Sequence, residues 1–125
     1  MDTSIKILIV DDFATMRRIL KNILKQIGFK NIDEADDGAN ALEQLKTVKY
    51  DLIISDWNMP KMTGLELLKN VRSMPDFKST PFLMVTAEAQ KQNVIEAVQA
   101  GVSNYVVKPF TAEAISDKLS KILNK

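Results

Sequence analysis

The sequence predicts an α/β protein, with five short parallel strands alternating with five helices that cover both faces of one sheet. Three observations carry this expectation. Short β-branched runs alternate with longer stretches whose apolar residues recur three and four apart. Most of the strand runs are continuously apolar, as strands buried on both faces are. The chain has 125 residues, 46% of them hydrophobic, which suits one ordinary domain spanning 1–125 with a sizeable core.

The elements follow in order. Ile5 to Val10 is a β-branched run that ends abruptly at Asp11-Asp12. Met16, Ile19, Leu20, Ile23, Leu24 and Ile27 mark one apolar helical face, closed by Gly28. Asn31 to Ala35 is a more polar strand, which suits a sheet edge. Gly38 to Thr47 is a helix with Leu42 and Leu45 turned inward. Leu52-Ile53-Ile54 is a strand followed by Asp56. Gly64 to Ser73 is a helix carrying Leu65, Leu68 and Val71. Phe82 to Val85 is a strand ending at Thr86. Gln90 to Ala100 is a helix with Val94, Ile95 and Val98 as its apolar residues, stopped by Gly101. Tyr105 to Val107 is a strand ending at Lys108-Pro109. Thr111 to Leu123 is the last helix, with Ile115, Leu119 and Ile122 inward.

Composition removes whole classes of chemistry. There is no cysteine and no histidine. A thiolate or imidazole zinc site, a Ser-His-Asp triad and a Cys-His pair are therefore excluded. Carboxylates, hydroxyls, lysines and amides remain, and such groups hold a hard, oxygen-preferring cation. With 17 basic and 16 acidic residues the charge is nearly balanced, so no nucleic-acid partner is expected. Met1-Asp2-Thr3-Ser4 lacks the basic and apolar stretches of a secretory signal, and no apolar run is long enough to span a bilayer. A soluble, cytoplasmic, monomeric protein without a membrane partner is the expectation.

Parallel α/β sheets bind ligands beyond the carboxyl ends of their strands. At those ends stand Asp11 and Asp12, Asp56, Thr86 and Lys108. Taken singly, each has a plain reading: an aspartate caps a helix, a threonine favours a strand, a lysine is a solvated surface group. Together they form a specific set. Close carboxylates repel, and a divalent cation with Lys108 relieves that repulsion. Magnesium takes one or two carboxylates plus water and phosphate oxygens. Asp12 and Asp56 are the candidate direct ligands, with Asp11 acting through water. Asp56 is central to the set and is the candidate carboxylate nucleophile for an aspartyl-phosphate. Thr86, Lys108 and the metal would then stabilise charge on the transferring phosphoryl oxygens.

The chain resembles the receiver domains of two-component response regulators, and within them the single-domain chemotaxis regulators. The matching segments are Val10-Asp11-Asp12-Phe13, Met16-Arg17-Arg18, Ser55-Asp56-Trp57-Asn58-Met59-Pro60, Met84-Val85-Thr86-Ala87-Glu88-Ala89 and Gly101 to Phe110. The resemblance implies strand order 2-1-3-4-5 and a cis Lys108-Pro109 bond. It implies Asp56 as phosphoacceptor, and magnesium held by Asp12, Asp56 and the Asn58 carbonyl with help from Asp11. Thr86 and Lys108 are the implied phosphoryl ligands. Tyr105 is the implied switch, swinging inward as Thr86 moves, although on its own it reads as a half-buried core aromatic. Asn58 and Glu88 are the implied tuners of dephosphorylation. The implied output face is the fourth helix, fifth strand and fifth helix, with Ala89, Lys91, Val94, Val98, Val102, Tyr105, Val107 and Lys118 on it.

The implied partners are a CheA-like histidine kinase as donor, a FliM-like flagellar motor switch protein as target, and a CheZ-like phosphatase. No DNA-binding domain follows Lys125, so the expected output is a protein contact. One departure is Met62-Thr63-Gly64, where the family carries Met-Asp-Gly; Thr63 remains a candidate helix cap. Other readings stand beside the switch. A pseudo-receiver, a folded interaction module that is never phosphorylated, is opposed by the intact acidic set, Thr86 and Lys108. One further reading is a receiver relaying phosphate to another protein. Another is a magnesium-dependent phosphohydrolase, but such enzymes carry a second aspartate where Asn58 stands. The expectation is a binding switch and not an enzyme.

Overall fold

The computed structural model describes residues 1–87 and 90–123. The β-branched runs form strands β1 (Lys6–Val10), β2 (Asn31–Ala35), β3 (Leu52–Asp56), β4 (Phe82–Thr86) and β5 (Asn104–Val107). The amphipathic stretches form helices α1 (Ala14–Ile27), α2 (Gly38–Thr47), α3 (Gly64–Ser73), α4 (Lys91–Gln99) and α5 (Ala112–Leu123). All strand pairings are parallel and the order is β2-β1-β3-β4-β5, as expected.

Alternation along each strand divides the core into two layers. Ile7, Ile9, Ile54, Leu83 and Val85 face Leu20 and Leu24 of α1 and Ile115 and Leu119 of α5. Leu8, Val10, Ile53, Phe82 and Met84 face Ala41 and Leu45 of α2 and Leu67, Leu68 and Val71 of α3. Burying both faces is the main stabilising term, at about 25 cal/mol per Å² of apolar surface.

Helix ends obey local chemistry. At the end of α1, Gly28 adopts φ 125°, and the Gly28 and Phe29 amides return to the Leu24 carbonyl. Asp37 caps α2 by accepting from the Asn40 amide. Thr63 caps α3 in a reciprocal capping box with Glu66, so the residue that departs from the family pattern still starts its helix.

Some expectations shift. β3 reaches two residues further than its apolar run and β4 one, so Asp56 and Thr86 are the last strand residues and not the ones beyond. In α3 the buried residues are Gly64, Leu67, Leu68 and Val71, while Leu65 is half-buried. In α4 the sequence pattern misleads. Ala97 is buried at 2%, whereas Ile95 and Val98 are exposed at 38% and 62%. A short 3-10 turn at Pro75–Phe77, which buries Phe77, was not anticipated.

The order places β2 on one side of β1 and β3 to β5 on the other. The loops after β1 and β3 therefore part, and open a crevice at the carboxyl edge of the sheet.

Candidate functional site

The crevice is lined by side chains that the strand ends deliver. Asp11 extends the β1 pairing, its amide donating to the Ala35 carbonyl at 3.2 Å. Its Oδ1 accepts from the Phe13 amide at 2.9 Å, which turns the chain into α1. Asp12 follows, exposed. Asp56 ends β3, 6% exposed. Beyond it the Trp57 amide donates to Val85 and the Gly64 amide donates to the Trp57 carbonyl, each at 2.8 Å. Lys108 follows β5 through a cis bond to Pro109, its own amide donating to Thr86 at 2.7 Å.

These placements bring charges together. Asp11, Asp12 and Asp56 each present an oxygen within 4.8 Å of the others. Lys108 Nζ lies 3.0 Å from Asp56 Oδ1 and 3.9 Å from Asp11 Oδ2. Three carboxylates and one ammonium leave two negative charges uncompensated, the charge of one divalent cation. Asp11 Oδ2 is buried and has no hydrogen-bond partner among the described residues. Burial is the main reason the Asp11 carboxyl titrates at about 6 instead of 3.8, and the neighbouring Asp56 and Asp12 charges push the same way. An oxygen-only donor set with an orphaned buried carboxylate oxygen fits magnesium or a similar hard cation.

Thr86 closes the rim as the buried last residue of β4. Behind it lies a small apolar cavity of about 10 Å³, lined by Trp57, Met84, Thr86, Asn93, Val94, Ala97 and Tyr105. That is barely one water's worth of space. Thr86 and Tyr105 thus share a wall, although they belong to different strands. The Tyr105 ring lies under Lys118 Nζ, 5.4 Å from its centroid.

The other predicted residues fall as follows. Asn58 is exposed, two residues past Asp56. Lys91, Val98 and Val107 are exposed, and Val94, Val102, Tyr105 and Lys118 half-buried. Glu88 and Ala89 lie outside the described residues. Two residues were missed as contributors. A Cβ on Gly64 would fall on the Asp56 carbonyl oxygen and come within 2.8 Å of Met84 Sδ. Arg17 Nη1 donates to the Asp11 carbonyl at 2.7 Å. Neither carries a local signal beyond its place in a motif, because each acts through the packing of its helix against the end of the preceding strand.

A doubly covered parallel sheet with an acidic, lysine-bearing pocket at its β1/β3 divide is the architecture of a receiver. The chain belongs to the response regulator receiver domain family, whose pattern matches residues 7–120. It is similar to the chemotaxis protein CheY-3 of Vibrio cholerae, 54% identical over all of this chain and 96% of that one. It is also similar to the chemotaxis protein CheY of Pseudomonas aeruginosa, 56% identical over 96% of this chain and 97% of that one. Among solved structures, that of Vibrio cholerae chemotaxis protein CheY4 superposes with a TM-score of 0.90 at 36% identity, covering 95% and 98% of the two chains. No described helix is long and apolar enough to cross a membrane.

Proposed function

We propose that this CheY-like receiver is a phosphorylation-activated chemotaxis regulator that accepts a phosphoryl group on Asp56 from a histidine kinase. The observation that carries the reading is Lys108 Nζ at 3.0 Å from Asp56 Oδ1, inside the cluster of three carboxylates. An Asp56 oxygen attacks the phosphorus of a phosphohistidine. A P–O bond forms, the P–N bond breaks, and the imidazole leaves with a proton. Lys108 offers its ammonium to the phosphoryl oxygens, and the Thr86 hydroxyl is the second ligand. Asp11, Asp12, Asp56 and the Asn58 carbonyl are the residues that would hold magnesium, which supplies charge compensation for the phosphoryl oxygens when bound.

The output follows from the wall that Thr86 shares with Tyr105. Movement of Thr86 toward a phosphoryl group frees space, and Tyr105 fills it. That rotation changes the face formed by α4, β5 and α5, where Lys91, Val94, Val98, Val102, Val107 and Lys118 offer apolar and basic contacts, with Ala89 joining them. A flagellar motor switch protein of the FliM kind is the proposed target, and a CheA-like kinase the donor. Asn58 and Glu88 tune water access to the phosphoryl group, and a CheZ-like phosphatase accelerates its removal. The proposed setting is the cytoplasm, and the whole of 1–125 acts as one receiver.

The test uses acetyl phosphate and magnesium with mass and Trp57 fluorescence as readouts. Stoichiometric labelling that disappears in Asp56→Asn, with tighter binding of a motor switch peptide, is the expected outcome. Continuous phosphate release at enzymatic rates would point instead to a phosphohydrolase. Equal peptide binding with and without label would remove the motor assignment.

A further inference from the structure

Arg17 lies on the first turn of α1, facing β2 across the end of β1. Its side chain is largely buried, at 17% exposure. The guanidinium makes two contacts of different kinds. Nη1 donates to the Asp11 backbone carbonyl at 2.7 Å, and Nε donates to Glu34 Oε1 at 3.1 Å. Glu34 is itself held. Its Oε2 faces Lys21 Nζ at 3.4 Å, and its backbone carbonyl accepts from Gln44 Nε2 at 3.0 Å. The guanidinium therefore ties the Asp11-Asp12 turn to β2 through a fork whose far end is anchored to both α1 and α2.

The Asp11-Asp12 turn has few other restraints. The Asp11 amide is used by Ala35, and Asp11 Oδ1 by the Phe13 amide. Helix α1 begins at Ala14 without a side-chain cap on its N-terminus. Among the described residues no backbone amide bonds the Asp11 carbonyl, so the guanidinium sets its direction. A guanidinium suits the task, because its rigid planar fork bonds a carbonyl and a carboxylate in fixed directions, whereas a lysine is a point charge on a flexible stem.

We infer that Arg17 is a positioning residue for the metal site, holding the Asp11 and Asp12 carboxylates in the arrangement that binds a divalent cation. This rests on the reading of the acidic cluster as a magnesium site. Groups that orient metal ligands without touching the metal typically contribute 10–100-fold to affinity. Glu34 offsets part of the charge of Arg17 and Lys21, so the clamp carries one net positive charge instead of two beside a site that must attract a cation.

Electrostatics and positioning predict opposite signs, and this makes the inference testable. Removing a cation near a metal site tightens metal binding if only long-range charge matters. Magnesium affinity is measured by Trp57 fluorescence titration for the parent, Arg17→Met, Arg17→Lys and Arg18→Met. Arg18 is the exposed neighbour on the same helix and controls for charge alone. The expected result is affinity weakened about tenfold in Arg17→Met. Arg17→Lys should fall between it and the parent, and Arg18→Met should match the parent or bind slightly tighter. The charge-neutral double variant Arg17→Met/Glu34→Gln should resemble Arg17→Met. Thermal unfolding in chelator separates a merely structural role. Lowered stability with magnesium affinity unchanged in both Arg17 variants would overturn the inference, as would tighter binding in Arg17→Met. Should Arg17→Met fail to fold, Arg17→Lys and Glu34→Gln carry the same comparison. A parent that shows no magnesium response would instead sink the metal-site reading, and this inference with it.

Discussion

At the scale of single residues, Asp11 shows how a site holds charge that the fold alone does not want. Its carboxyl titrates at about 6 in the folded chain against 3.8 for a free aspartate, chiefly through burial. The folded state therefore binds more protons than the unfolded state between those values. Stability falls as pH rises through that window, and the penalty is fully present above about 6 and absent below about 4. In chelator, Asp11→Asn is expected to be more stable than the parent at pH 7.5, the gain fading toward pH 4. Urea unfolding of both proteins at the two pH values checks it. Gly64 is the opposite case, a residue without a side chain on which the site depends. The Asp56 carbonyl and Trp57 Cα occupy the place of a Cβ, the latter at 3.0 Å. Gly64→Ala should push β3 and α3 apart, lowering the unfolding free energy measured in urea by about 1–3 kcal/mol and weakening magnesium binding. An alanine variant with parental stability and affinity would show that the contact is soft. The strand-end aspartates were legible in sequence because they interrupt apolar runs. Gly64 and Arg17 were not, because their partners lie on other elements.

At the scale of elements, α3 and α4 teach different lessons. Thr63 and Glu66 form a full capping box, a pattern that sequence spacing reveals because cap and partner are three residues apart. Thr63→Ala is expected to cost about 1 kcal/mol in denaturant unfolding, without altering the extent of phosphoryl labelling. Helix α4 runs against its own hydrophobic pattern. Its Val98 and Ile95 are exposed, and Ala97 faces the interior, where it lines the small cavity with Trp57, Met84 and Tyr105. Ala97→Leu should therefore destabilise the fold by about 1–3 kcal/mol through overpacking. Val98→Asp should stay within about 0.5 kcal/mol of the parent and act only on partner binding. Thermal melts of the two variants decide between the periodicity and the observed orientation.

At the scale of the whole molecule, any cation held by the acidic cluster is linked to folding. The acidic crevice forms only when β1, β3 and β5 are assembled, so a cation that binds it stabilises the fold. At magnesium a hundredfold above its dissociation constant, the gain is expected to be about 2.7 kcal/mol. A thermal shift with magnesium that is lost in Asp12→Asn and in Asp56→Asn would bear this out. An equal shift in the variants would mean that the ion binds elsewhere.

The sequence by itself determined the alternation of strands and helices, the edge position of β2, the exclusion of thiolate and imidazole chemistry, and the set of strand-end residues. Each of these depends on local pattern or on composition. The tertiary structure decided what pattern cannot carry. It set Lys108 at 3.0 Å from Asp56, orphaned Asp11 Oδ2, turned Ala97 inward and joined Arg17 to the Asp11 carbonyl. Those facts depend on how separate elements pack against one another, and that packing exists only once the sheet has closed its two core layers.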